Sequence, residues 1–364
     1  IIEYIENNGN LDFKQLPFNQ VDAAILTQLP LLDLSGVFEP GDTSIRQAYK
    51  NYMKLENDKE RRESLLIYRR IHNIFRHLSE KSRYKDLRIS DYIEIIDRDN
   101  PCQFSALSIH LEEEILICFG GTDDSVVGWH EDFLLLYLDK IPSHDYGLKY
   151  LENICEKYNN DIILCGHSKG ANIAMNTILY TKRRYAKRVR KVYCYDGPGI
   201  NRKEFNNEKL KSRFKKMISY IPYRSSIGKL FDHYEEYKIV ECSANLLFQH
   251  DISTWHVYDK DFVYKDCESQ ESIYLDTHVK KLISELDDSS REIFVNALFN
   301  IMYLSEVNAF RDALKYKGAI LKNMFKLKRE EKKLLYKIFF SGMLKDSKIR
   351  KMLFSILKEK KKNE

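Results

Sequence analysis

The chain has 364 residues, 43% hydrophobic and 31% charged, which is enough for a sizeable core in one large domain or two modest ones. No stretch reaches about eighteen uncharged apolar residues, and the opening IIEYIENNGNLDF lacks a basic region followed by an apolar one, so neither a membrane-spanning helix nor a secretory signal is expected. The net charge of +5 is uneven: residues 311–364 hold 18 Lys and Arg against 6 Asp and Glu, or +12, which leaves −7 for residues 1–310.

Seven cysteines, with Cys118, Cys165 and Cys194 in apolar strand-like runs and no pair at metal-ligand spacing, predict reduced thiols, a cytoplasmic setting and no metal. Residues 1–84 read as mainly helical, with FNQVDAAILTQLPLLDL the most apolar segment and KNYMKLENDKERRESLLIYRRIHNIFRHL a long charged amphipathic stretch. DYIEIIDRDNPCQFSALSIHLEEEILICFGG follows, with alternating or β-branched runs broken by RDNP and an acidic turn, and reads as two or three antiparallel strands. From 145 to 242 helices alternate with short apolar strands: a helix at GLKYLENICEKY, strand 161–165, helix 170–182, strand KVYCYD, a helix at EFNNEKLKSRF, then strands MISYIP and YKIVECS. Such alternation predicts a largely parallel sheet with helices on both faces. Beyond about residue 265 the pattern is helical throughout. The expected division is residues 1–265, an α/β domain with its N-terminal helices, and residues 266–364, a helical basic region.

One short stretch carries the chemistry. In IILCGHSKGANIAM the apolar run Ile162 to Cys165 reads as a buried strand, and Ala171, Ala174, Met175 and Ile178 recur at helical spacing. Between them Gly166, Ser168 and Gly170 satisfy G-x-S-x-G, in which a serine is held in a strained turn and side chains two residues away would collide with it. That geometry lifts the hydroxyl above the sheet and aims the N–H of Lys169 at a developing oxyanion. A serine needs a base, and the base needs a carboxylate to hold its tautomer. His250, in a loop after the last strand-like run, is the favoured base, with His233, His256 and His278 as alternatives. Asp196, at the end of KVYCYD and before the chain-reversing GPG, is the favoured acid, with Asp232 and Asp251 as rivals. The second oxyanion donor should follow an earlier strand, where Gly120, Gly121 and Thr122 allow close backbone approach and offer a hydroxyl beside an N–H.

FGGTDDSVVGWHEDF followed by CGHSKGAN resembles the F-R-G-T/S loop and G-H-S-x-G elbow of class 3 lipases, an α/β-hydrolase family. The chain is closer still to a bacterial lipase-like family, the Mbeg-like domain of unknown function, in NQVDAAILTQL, DGPG, IPYRSSIG and QHDISTW; together these cover roughly residues 1–260. The resemblance implies an α/β-hydrolase fold, Ser168 as nucleophile, Thr122 and Lys169 as oxyanion donors, His250 as base and an ester or lipid-like substrate, with no cofactor. Two departures stand out. Class 3 lipases carry Arg where Gly120 stands, and their triad aspartate follows the strand matched here by ISYIPYRSSIGKL, where Ser225 and Ser226 occur. Either Asp196 substitutes or the site is a weaker dyad on a scaffold that binds an acyl ligand or a partner. The segment Asp123 to Tyr146 stands where lipases often carry a lid, with Trp129, Phe133, Leu134 and Leu135 able to cover an acyl pocket; the alternative is a helix packed on the sheet. In the basic region after residue 311, Lys alternates with Ile, Leu, Met and Phe, which fits a solvated amphipathic face or attraction to an anionic membrane; no nucleic-acid recognition motif accompanies the charge.

Overall fold

The computed structural model describes residues 1–38, 43–55, 66–200, 208–244, 246–338 and 346. They form two compact units, one of Ile1–Ile95, Phe104–Gly121 and Ser143–Glu268, the other of Ile96–Gln103, Thr122–Pro142 and the chain from Ser269 onward. The second unit therefore takes in two segments from the middle of the chain as well as the C-terminal region.

The sheet runs β1 (Thr43–Ser44), β2 (Arg88–Asp97), β3 (Cys102–His110), β4 (Glu114–Phe119), β5 (Asp161–His167), β6 (Val189–Tyr195), β7 (Met217–Pro222) and β8 (Glu236–Val240), each hydrogen-bonded to the next, with β11 (Tyr264–Lys265) on the far edge. A separate ribbon pairs β9 (Val257–Tyr258) with β10 (Asp261–Phe262). Strands β4 to β8 are parallel, while β1–β2, β3–β4 and β8–β11 are antiparallel. The expected mostly parallel sheet is thus observed, and β8 stops short of the predicted ECS, where Cys242 makes only an isolated bridge to Trp255.

Runs such as EILICF and DIILCGH are continuous in apolar residues because both faces of the sheet are covered. Alternate residues face opposite ways. Ile163, Cys165, Tyr193, Tyr195 and Tyr220 share one core with Val21, Ala24 and Ile25 of α2 (Gln20–Leu26), which packs on β5 and β6. The residues between them face the longer helix that follows β5.

The N-terminal helices α1 (Ile2–Asn8), α2, α3 (Ile45–Tyr52) and α4 (Leu66–Glu80) agree with the helical reading of this region; residues 56–65 of its charged stretch lie outside the described residues. Asn19 caps α2 reciprocally with Asp22. Asp22 is also the hub of a fully buried ion pair: Arg83 Nε donates to Oδ1 at 2.9 Å and Nη2 to Oδ2 at 2.5 Å, and the Tyr84 hydroxyl donates to Oδ1 at 2.6 Å. Both charges are satisfied, which is the condition for keeping them inside.

In the second unit α5 (Val126–Leu134) packs on the later helices. The elements between and after are α6 (Pro142–Lys157), α7 (Lys169–Tyr180), α8 (Arg183–Arg188), α9 (Glu208–Phe214), α10 (Gln270–Ser284), α11 (Asp288–Leu304), α12 (Lys317–Lys326) and α13 (Arg329–Tyr336). His130 stacks on Phe299 of α11 at 4.4 Å, Trp129 lies 5.1 Å from Phe310, and the Val126 N–H donates to the Asn308 carbonyl at 2.9 Å. Phe133 meets Phe294 and Phe299, and Leu134 and Leu135 are buried. This segment thus contributes a buried helix to the second unit. The lysine-rich segment beyond residue 338 lies outside the described residues except for Asp346.

Candidate active site

Strand β5 ends at His167, and the helix α7 starts at Lys169, leaving Ser168 alone in the turn. Its backbone sits at φ +57° and ψ −129°, a region that side-chain-bearing residues rarely occupy. The flanking glycines make this turn fit. A Cβ on Gly166 would lie 2.1 Å from the carbonyl carbon of Gly170, and one on Gly170 would lie 2.3 Å from the Phe119 carbonyl oxygen. The G-x-S-x-G spacing is therefore a packing requirement of β4, β5 and α7 meeting at one point. Lys169 is buried and opens α7, and the first-turn amides of a helix have no acceptor inside it.

The loop after β4 passes against this turn, since a Cβ on Gly121 would stand 2.8 Å from the His167 carbonyl oxygen and 3.4 Å from Ser168 Cβ. Gly120 has another reason. Its Cβ would lie 2.0 Å from Ser105 Oγ, which donates to the Pro30 carbonyl at 2.7 Å, so the larger residue seen in class 3 lipases has no room here. Thr122 is the first residue of this segment of the second unit, and its hydroxyl donates to Asp132 Oδ2 at 2.6 Å. With the hydroxyl on Asp132, the main-chain N–H of Thr122 is the group offered for the oxyanion-donor role proposed below.

The parallel register places the next group. His167 pairs with Tyr195, and Tyr195 with Tyr220, so Ser168 and Asp196 leave neighbouring strands at the same edge. The ladder continues one step: the Ser168 N–H donates to the Tyr195 carbonyl at 2.9 Å and the Asp196 N–H to that of Tyr220 at 2.8 Å. Asp196 also has a positive φ, +42°, and is buried. Its Oδ1 accepts from Ser225 Oγ at 2.5 Å and from the Gly228 N–H at 3.0 Å, while Oδ2 lies 2.7 Å from His250 Nδ1. A carboxylate can only accept, so Nδ1 carries the proton and Nε2 of His250 has the lone pair. His250 ends a 3-10 turn (Leu246–His250), and its side chain is 27% exposed.

Beneath it lies His167, which is buried. Its Nε2 donates to the His250 carbonyl at 2.7 Å, the two rings are 4.5 Å apart, and Nδ1 has no partner. Burial first, and then the neighbouring His250, pull His167 down to about 3, so it stays neutral.

The alternatives are engaged elsewhere. His233 Nδ1 meets Glu235 at 2.7 Å, His256 lies 3.6 Å from Glu241, and His278 stacks with Tyr274 in the second unit. Burial raises the Glu235 carboxyl, but His233 and the Ser219 hydroxyl outweigh it and hold it below the usual carboxylate range. Asp251 pairs with Arg70 and caps the turn Ile252–Thr254, and Asp232 exchanges backbone bonds with Ile200. Among the described residues His250 is the one histidine joined to Asp196. The sequence reading missed His167, Ser225 and Gly228 as members of this cluster, although IPYRSSIG had marked the loop that supplies the last two. No cluster of three or more metal-ligating side chains occurs among the described residues.

A mostly parallel sheet covered on both faces, with a serine in a strained strand-to-helix turn and, at the end of the adjoining strand, an aspartate paired with a histidine, defines an α/β-hydrolase-like scaffold. The chain belongs to the Mbeg1-like family, whose model matches residues 78–300. No curated protein matches it. Among solved structures it is similar to the Rhizomucor miehei lipase in complex with its propeptide (18% identity, 53% of this chain and 66% of that one, TM-score 0.34). It is also similar to Lip2 lipase of Yarrowia lipolytica (13% identity, 50% and 71%, TM-score 0.34). A third is the lipase of Rhizopus microsporus var. chinensis (14% identity, 51% and 69%, TM-score 0.29). This chain thus spans just under two thirds of the first of these.

Proposed function

We propose that this protein is a serine hydrolase that cleaves carboxylic ester or thioester bonds, of a lipid-like or other small acyl substrate, through an acyl-enzyme on Ser168. His250 Nε2 takes the Ser168 hydroxyl proton as Oγ attacks the acyl carbon, and Asp196 holds the tautomer and stabilises the imidazolium that forms. The N–H groups of Lys169 and Thr122 receive the oxyanion, and His250 returns its proton to the departing alcohol or thiol. Water then repeats the sequence on the acyl-enzyme, releasing the acid and restoring the serine. The observation that carries this reading is the Asp196–His250 hydrogen bond at the sheet edge where Ser168 sits at φ +57°. The alternative is a catalytically silent scaffold; the 2.7 Å contact between Asp196 and His250 supports the hydrolase reading over it.

The test is hydrolysis of p-nitrophenyl esters from acetate to palmitate by the wild type and by Ser168→Ala, Asp196→Asn and His250→Ala, with fluorophosphonate labelling of each. Activity lost in all three, with labelling lost in Ser168→Ala, is expected. A wild type that neither turns over nor labels would refute the reading.

A further inference from the structure

The second unit ends in a basic stretch whose two sides differ. Residues 311–338 hold ten Lys and Arg against three Asp and Glu, a net +7. On the inner side of α12, Asn323 is buried and its Nδ2 donates to Ser305 Oγ at 3.0 Å, just past the end of α11. On the outer side Leu321 and Phe325, one helical turn apart, are 56% and 78% exposed. Lys317, Lys322 and Lys326 lie exposed around them, and open space surrounds Gly318. Leu314, just before α12, is 74% exposed, and α13 turns Leu335 inward and leaves Tyr336 out beside the exposed Lys332, Lys333 and Lys337. Single bare apolar residues are ordinary on a protein surface. An apolar stripe framed by cations on an anchored helix has the composition of an interfacial helix.

We infer that this face docks on an anionic phospholipid surface, Leu321 and Phe325 entering the acyl boundary while the surrounding lysines meet the head groups. Charge selects this occupant. A second copy of the same face would set its lysines against their own copies, as a two-fold interface requires. A nucleic acid would engage the lysines and leave Leu321, Phe325 and Leu314 against a polar backbone. Among the described residues no helix is long and apolar enough to cross a membrane, so the helix lies on the surface. This inference does not depend on catalysis, and Ser168→Ala is expected to bind as the wild type does.

The test is sedimentation of the full chain with vesicles of phosphatidylcholine alone or with about 30% phosphatidylglycerol, at about 0.1 M salt. The wild type should bind the anionic vesicles and not the neutral ones. Leu321→Glu/Phe325→Glu, which alters exposed side chains only and whose fold is checked by circular dichroism, should lower the partition coefficient by about tenfold or more. Three results would overturn the inference. They are a wild type that ignores anionic vesicles, a double variant that binds as well as the wild type, and light scattering that shows a dimer dissolved by the same variant.

Discussion

Ser225→Ala separates a catalytic Asp196 from a structural one. Both residues are buried, and the serine hydroxyl stands 2.5 Å from Oδ1, the oxygen not facing His250. A hydrogen bond to a charged group is worth about 1.5–3 kcal/mol. The Gly228 N–H remains on the same oxygen at 3.0 Å, so the lower part of that range, about 1.5–2 kcal/mol, is expected as lost stability. If the loss also reaches the carboxylate's hold on His250, kcat/KM falls about tenfold to thirtyfold, at about 1.4 kcal/mol per factor of ten. KM should barely move, because the hydroxyl faces the acid and not the substrate. Ser225→Thr keeps the hydroxyl and should restore most of the rate. The assay is ester hydrolysis with urea unfolding of the same variants. A Ser225→Ala protein that loses the stability but keeps its rate within about twofold would refute a catalytic Asp196.

His167 is the other buried support, and its titration is a stability statement. Folding lowers it from about 6.5 to about 3, so between those values the unfolded chain binds a proton that the folded chain refuses. The stability is fully present above pH 6.5 and falls as the pH drops, by about 4–5 kcal/mol at the acid end. His167→Gln keeps a donor for the His250 carbonyl and does not titrate, so the slope of stability against pH should flatten; an unchanged slope in urea unfolding would count against the assignment. His130, drawn down to about 4 by burial, contributes in the same direction and keeps the slope from vanishing. In the N-terminal helices, Asp22→Ala strands the buried Arg83 and should cost about 3–5 kcal/mol, while Asp22→Leu/Arg83→Met should recover most of it. Equal stabilities for the single and double variants would show that the pair is not coupled.

The sheet and the serine turn were legible because their signals are local. Continuous apolar runs mark strands buried on both faces, and glycines two residues either side of Ser168 mark a turn where β4, β5 and α7 collide. Choosing among the histidines was harder, since sequence spacing says nothing of which ring reaches Asp196. Asp251 stands next to His250 in the chain, yet it belongs to Arg70, 181 positions away. The same limit hid the partner of α5: its apolar face suits a sheet or a helix equally, and the covering residues, Phe294 and Phe299, lie about 160 positions further on. The Thr122 hydroxyl shows the same limit, since only the turn of α5 brings Asp132 within 2.6 Å of it.

The position of Asp196, the proposed acid, follows from the sheet. Because β6 and β7 are parallel neighbours in register at Tyr195 and Tyr220, the loops that follow them leave the same edge side by side. The loop after β7 reaches back far enough for Ser225 Oγ to touch the carboxylate of Asp196. What His250 requires is an acceptor at Nδ1, and either loop end stands within a side chain's length of that point. The exchange Asp196→Gly/Ser225→Asp should therefore retain measurable hydrolysis where Asp196→Gly alone loses about 10⁴-fold. Glycine is the suitable replacement, since the backbone there sits at φ +42°. A double variant as inactive as the single one, with its fold intact by circular dichroism, would mean that the acid is tied to β6 by more than distance. The remaining donor on that carboxylate, the Gly228 N–H, would then be the next constraint to examine, because a carboxylate at position 225 approaches it from its own loop.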